Sequence, residues 1–213
     1  MKKYRLILID TLILCLVSTL LAYGFNAVAS ALKGKAQEDD LIVTAIIQDN
    51  FKDLEKFVKA GPDATNKTDE FGRSALMRTA YVNFSNASAI DKTDAKRVGM
   101  VELLVKHGAR LDARDNDGWS ALMWASWSGL TKGVSRLLEL GASPQFADRQ
   151  GNTALLIAAQ RGNAEIVKAL LAKGADKAAA NNAGITALDA AKTGMTQYPD
   201  KAPGYHAILS QLR

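Results

Sequence analysis

Three tryptophans, Trp119, Trp124 and Trp127, account for every tryptophan in the chain and fall in one stretch, GWSALMWASWSG. An indole offers a large apolar area at small conformational cost and a polar N–H at its edge, so such a cluster suits recognition of another macromolecule. Catalysis has thinner support. The histidines are His107 and His206, and the single cysteine is Cys15. His107 stands just before a glycine that ends a helical pattern, where a cation is mildly favourable near exposed carbonyls. No acid, base and nucleophile share a spacing that would assemble a reaction centre. Cys15 lies in the N-terminal segment, so the body of a processed chain can form neither a disulfide nor a thiolate metal site. The reading is a noncatalytic protein that needs no metal and no cofactor.

The tryptophans have to be held by something, and the surrounding text repeats. Gly118, Gly151 and Gly184 are 33 residues apart, as are Gly141 and Gly174. Around the first set the chain reads GWSALMWAS, GNTALLIAA and GITALDAAK, with GRSALMRTA upstream from Gly72. Around the second it reads LLELGAS and LLAKGAD, with LLVKHGA and KFVKAGP as earlier versions. A fixed period of this length signals stacked units, none of which can bury its own apolar face alone.

Residues 148–176 give the clearest copy. Asp148, Arg149, Gln150 and Gly151 form a turn in which glycine supplies positive φ. Thr153 sits at a helix N-cap, a place held elsewhere by Ser74, Ser120 and Thr186. Leu155, Ala158 and Ala159 predict a short first helix stopped by Gly162. Asn163 is expected to cap a second, whose inward face is Ile166, Val167, Leu170 and Leu171 and whose end is Gly174. With abundant Ala and Leu and no alternating β-branched runs, the fold class is all-α.

The 33-residue period, the G-x-[ST]-A-L-x-x-A opening and the L-L-x-x-G-A-D close resemble the ankyrin-repeat family. Two departures stand out. Ala75, Ala121, Ala154 and Ala187 replace the proline of the usual T-P-L-H motif, and Met77, Met123, Leu156 and Asp189 replace its histidine. The resemblance covers 38–213 and implies a solenoid of helix-turn-helix units with β-turn fingers, about five repeats including caps. Their expected bounds are 39–68, 69–114, 115–147, 148–180 and 181–213. The first reads as an N-terminal cap, with Leu41, Ile42, Ala45, Ile46, Leu54, Phe57 and Val58 apolar and QEDD before it. The last ends in an irregular stretch where Pro199 and Pro203 are expected to interrupt helix and Ile208, Leu209 and Leu212 supply a closing apolar face.

The resemblance also places the tryptophans. Trp119 follows a turn glycine, where the other copies carry Arg73, Asn152 and Ile185. Trp127 ends a first helix, where they carry Tyr81, Gln160 and Thr193. In ankyrin repeats these slots face the concave groove, which implies a protein partner. Trp119 and Trp127 are then an exposed pair that Phe71, Arg73, Tyr81, Arg149 and Arg161 extend, while Trp124, aligned with Arg78, Ile157 and Ala190, is partly buried. The competing reading is that these aromatics only fill gaps around an enlarged repeat.

That enlargement lies between Gly72 and Gly108, which are 36 residues apart where later copies have 23. The extra 13 residues, near 83–95, read as a loop from Asn83 to Asp94 followed by a lengthened second helix from about Asp94 to His107. A binding loop and a neutral surface insertion remain equal readings.

Residues 1–29 are of another kind. Lys2, Lys3 and Arg5 precede an apolar core from Leu12 to Ala22, and Ala27-Val28-Ala29 is a small-x-small cleavage site. The preferred reading is an export signal cleaved after Ala29, which places the repeats in a bacterial periplasm. The alternative is an uncleaved inner-membrane anchor from Leu6 to Phe25 with periplasmic repeats, Asp10 being costly inside it. Cys15 follows Leu14, so it does not fit a lipoprotein signal. The formal net charge is +5, and without residues 1–29 it falls to +3. The remaining charges alternate in sign along helices, which argues against a nucleic-acid partner. Related bacterial envelope proteins suggest a periplasmic catalase or a delivered toxin as partner, and a membrane-tethered structural scaffold is the competing role.

Overall fold

A serine or threonine two residues after each turn glycine starts a helix. In the computed structural model, which describes residues 45–46, 50–59, 61–81 and 90–213, Ser74, Ser120, Thr153 and Thr186 all hold extended backbone. Each hydroxyl accepts the N–H of the residue three ahead, Met77, Met123, Leu156 and Asp189. Thr186 and Asp189 cap reciprocally. The described helices are α1 (Phe51–Val58), α2 (Pro62–Thr65), α3 (Ala75–Ala80), α4 (Ile90–Lys106), α5 (Ala121–Ser128), α6 (Thr131–Glu139), α7 (Ala154–Arg161), α8 (Ala164–Ala172), α9 (Ala187–Gln197) and α10 (Ala202–Leu212), with a 3-10 turn at Pro199–Lys201.

Most of these helices are too short to persist alone in water, so packing must stabilise them. They form two layers. First helices stack in the order α3, α5, α7, α9, and second helices in the order α1, α4, α6, α8, α10. Leu155, Ala158 and Ala159 on α7 meet Ile166, Val167 and Leu170 on α8, and all six are at most 1% exposed. Burying each large aliphatic side chain stabilises by roughly 1.5–3 kcal/mol. Leu171 is only half-buried, so the inward face of α8 is one residue narrower than its periodicity implies. In the opening repeat Ala45, Ile46, Leu54 and Val58 are buried, whereas Leu41, Ile42 and QEDD lie outside the described residues.

Between helix pairs the chain makes finger turns. No strand occurs among the described residues. The fingers are reduced to single antiparallel bridges, Thr68 with Ser74, Ala147 with Thr153 and Ala180 with Thr186. One acidic or amide residue organises each turn: Asp69, Asp115, Asp148 and Asn181 accept two backbone N–H groups apiece through Oδ1, from the residues two and four ahead. Successive fingers are bonded as well. The N–H groups of Asn116, Arg149 and Asn182 donate to the carbonyls of Phe71, Asp117 and Gln150. Gly151 shows why the turn needs glycine, because its φ is 82° and a Cβ there would come within 2.7 Å of Asn182 Oδ1.

The second helices begin differently. Asn163 occupies the N-cap of α8, but its side chain does not cap that helix. Its Nδ2 donates instead to the Ser126 carbonyl at 2.9 Å, tying α8 to the last turn of α5. The cap of α6, Leu130, has no polar side chain to offer. Its role passes to α4, which starts at Ile90, so residues 90–94 are helical rather than loop; residues 83–89 of the expected loop lie outside the described residues. Asp94, 3% exposed, accepts the N–H groups of Lys132 and Gly133 at 2.7 and 2.8 Å. One turn along, the buried Arg97 donates from Nη1 to the carbonyls of Arg78 and Thr79, in the last turn of α3. An anion thus meets a helix N-terminus and a cation a helix C-terminus, the favourable pairing for both dipoles.

At the far end α9 runs on to Gln197, and Pro203 opens α10 instead of interrupting a helix, as its fixed φ allows. Tyr205, Ile208 and Leu212 close the core, with Leu209 half-buried. Tyr205 is fully buried. Its hydroxyl donates to the Gln160 carbonyl at 2.8 Å, and its ring occupies the space left by Gly162 and Gly194, where a Cβ would meet it at 2.9 and 2.7 Å.

Candidate functional site

The fingers and first helices bring the tryptophans together. Trp124 lies at the centre. Its ring centroid is 4.6 Å from Trp119, 5.1 Å from Tyr81 and 6.3 Å from Trp127. Tyr81, at the end of α3, stacks on Trp127, at the end of α5, with centroids 5.8 Å apart and planes 26° from parallel. The Arg161 guanidinium lies over Trp127, 4.7 Å from its ring centre. It also lies 5.9 Å from Tyr198, and Lys201 Nζ follows at 5.8 Å from the same tyrosine. A row of rings and cations therefore crosses α3, α5, α7 and the C-terminal cap.

Half-burial of all three indoles modifies the expectation of an exposed Trp119–Trp127 pair. Each leans on its neighbours and presents one part to solvent. Trp124 is the most constrained, because its Nε1 donates to Asp115 Oδ2 at 2.9 Å while Asp115 Oδ1 holds the finger turn. One buried carboxylate thus fixes both turn and ring.

The equivalent position one finger earlier is Arg78, which also stands nine residues after its turn acid, Asp69. Asp69 Oδ2 accepts from Arg78 and from Arg73 Nε at 3.0 Å. Arg73 in turn lies over Phe71, 4.5 Å from the ring centre. Burial raises the Asp69 carboxyl, but the Arg73 N–H and the Arg78 guanidinium outweigh it and hold the group below the ordinary range.

Of the seven residues assigned from sequence, Trp119, Trp127, Tyr81 and Arg161 belong to one row. Phe71 and Arg73 form a second group on the first finger, Phe71 being 54% exposed. Arg149 contributes backbone bonds to Asp117 and Asn182, and its exposed side chain makes no hydrogen bond or ring contact among the described residues. Sequence reasoning missed the central part of Trp124, legible only in its nine-residue offset from Asp115. It also missed Tyr198 and Lys201, which lie in the cap and have no counterpart in another repeat to mark them. The histidines stand apart: His107 Nδ1 lies 2.9 Å from the Leu103 carbonyl, and His206 is exposed on α10. Among the described residues no group of three or more His, Cys, Asp or Glu is placed to hold a metal.

The period, the capped first helices and the stacked fingers agree with the family described as ankyrin repeats, whose pattern matches residues 41–148 and 134–197 in three copies. The chain belongs to the ankyrin-repeat family. Among individual proteins, this ankyrin chain is 30% identical over 91 residues to calmodulin-binding transcription activator CBT of Oryza sativa subsp. japonica, a match covering 43% of the chain and 8% of that protein. It is 27% identical over 122 residues to calmodulin-binding transcription activator 3 of Arabidopsis thaliana, covering 51% of the chain and 11% of that protein. The chain thus spans about a tenth of these relatives' length. Ankyrin repeats generally bind protein partners and are typically noncatalytic.

Proposed function

We propose that this ankyrin protein is a noncatalytic binding module of a bacterial cell envelope, exported by residues 1–29 and holding a protein partner on the row from Tyr81 to Tyr198. The observation that carries the site is Trp127, which stacks on Tyr81 and lies under Arg161 at the end of a first helix while remaining partly exposed. Such a ring needs no further ordering before it binds, so little conformational entropy opposes its use as an anchor. Trp119, Phe71, Arg73 and Arg149 extend the contact, and a periplasmic catalase or a toxin entering the periplasm would suit as partner. The envelope role rests on the basic start, apolar core and Ala27-Val28-Ala29 site of the sequence, a segment outside the described residues. Among the described residues no helix is long and apolar enough to cross a membrane.

The test is capture from an envelope extract of the host, with the tagged full chain as bait and a Trp119→Ala, Trp127→Ala variant of unchanged circular dichroism as control. One protein retained by the native chain and lost by the variant supports the reading. Identical captures from both baits overturn it. The second reading, a tethered scaffold, rests on the 20 apolar-rich residues from Leu6 to Phe25. N-terminal sequencing of the mature protein separates the two, because a chain beginning at Ser30 has lost any tether.

A further inference from the structure

Among the described residues Arg161 is the arginine of this face that rings hold and no carboxylate does, unlike Arg73 and Arg78 with their acid and unlike the exposed Arg149. Arg73 and Arg78 share the Asp69 carboxylate, and Arg136, on the second layer, is engaged by Glu102 and Glu139. Arg161 has no ion pair among the described residues. Asp200, on the 3-10 turn that also carries Lys201, makes none with it. Two rings hold its half-buried guanidinium instead, Trp127 at 4.7 Å and Tyr198 at 5.9 Å. Lys201 brings a second cation close by, with Nζ 3.4 Å from the Arg161 carbonyl.

A guanidinium held over a ring uses none of its hydrogen-bonding N–H donors in that contact. Its fork of donors matches a carboxylate, which can accept two parallel N–H bonds. An arginine held in this way is ordered in advance, so pairing costs less side-chain entropy than it would for a free surface arginine. The Trp127 ring lies beside it, with Tyr81 stacked on Trp127.

Building on the groove assignment above, we propose that the partner presents an acidic segment, in which an apolar side chain seats on Tyr81 and Trp127 and an Asp or Glu a few residues away pairs with Arg161. The carboxylate adds selectivity to a surface that would otherwise take any apolar side chain. Losing the Arg161 charge should weaken such a segment about tenfold, corresponding to one charge-assisted pair of about 1.4 kcal/mol.

The experiment selects a displayed library of random 12-residue peptides on the full chain in detergent, alongside Arg161→Glu, Arg161→Gln and Trp127→Ala variants whose melts show them folded. The expected result is enrichment of peptides with an acidic residue near an aromatic or aliphatic one. Their binding is lost in Trp127→Ala, the acid preference disappears in Arg161→Gln, and Lys or Arg replaces it in Arg161→Glu. Peptides that depend on Trp127 but show no acid preference, or keep it in Arg161→Glu, overturn this inference and leave the groove assignment standing. Peptides indifferent to Trp127, or no enrichment at all, overturn both. Displacement of the peptides by a fluorescent oligothymidylate that binds in a Trp127-dependent way also overturns it, in favour of stacking on a nucleic acid.

Discussion

Tyr205 closes the solenoid, and the way it does so can be taken apart by two substitutions. Tyr205→Phe keeps the ring in the space above Gly162 and Gly194 but removes the hydroxyl that donates to the Gln160 carbonyl. A part-buried acceptor loses that partner, at a cost of about 1 kcal/mol, or roughly 2–4 °C in Tm for a chain of this size. Tyr205→Ala empties the space, and a buried aromatic truncated to alanine costs about 3–5 kcal/mol. In a stack held by neighbour contacts that loss need not spread. α10 packs mainly on α8, α9 and the 3-10 turn, and Tyr205 supplies its hydrogen bond to the end of α7, so without that side chain it is expected to detach while the central repeats stay folded. Urea unfolding followed with two probes reads the difference. Tryptophan fluorescence reports on Trp119, Trp124 and Trp127, which stand on the finger and first helix of the α5 repeat rather than on α10, while far-UV circular dichroism reports on all helices. Tyr205→Phe should move both curves together, and Tyr205→Ala should bring the dichroism transition well below the fluorescence one. Coincident curves for Tyr205→Ala, with no loss of midpoint, would refute the assignment of Tyr205 as the clamp.

Further outcomes follow from the same contacts. Gly194→Ala should destabilise α9, although alanine is the better helix former by about 1 kcal/mol, because its Cβ would press on the Gln160 carbonyl and stand 2.7 Å from the Tyr205 ring; a rise in Tm would contradict this. Asp94→Ala should cost about 1–3 kcal/mol, since it leaves the part-buried N–H of Lys132 and the buried N–H of Gly133 without their acceptor, and faster amide exchange at those two positions checks it. Asp69 titrates below the ordinary value near 3.8, so its stabilisation is present above that value and lost as pH falls through the lower folded one. Asp69→Asn should accordingly narrow its stability gap to the native chain as pH falls through this acid window, whereas a gap unchanged down to pH 2 would mean that the charge on Asp69 is immaterial.

Much of this architecture was legible because ankyrin repeats state their rules more than once. Ser74, Ser120, Thr153 and Thr186 each cap a first helix, and the same local text recurring four times leaves little room for another reading. Residues whose partner lies in a different repeat were harder. Asn163 has the type and place of an N-cap, yet the Ser126 carbonyl across the repeat boundary takes its amide. Asp94 reads as the boundary where the lengthened helix begins, but its part as acceptor for α6 depends on the next repeat and has no local signal. At the site, Trp119, Trp127 and Tyr81 were found by comparing like positions. Tyr198 could not be, because the cap that positions it beside Arg161 repeats nothing.

The two buried charges on α4 also limit how this chain can be rearranged. In a stack where each unit meets only its neighbours, units are exchangeable parts, to be duplicated, deleted or grafted one at a time. The unit containing α4 is an exception. Replacing it with a copy of the α7–α8 unit would remove α3 and Arg97 together, but it would also remove Asp94 and so withdraw a buried acceptor from the start of α6 in the next unit. A working graft would have to carry α3 through α6, residues 75–139, as one block. At this point in the protein the unit of shuffling is two repeats long.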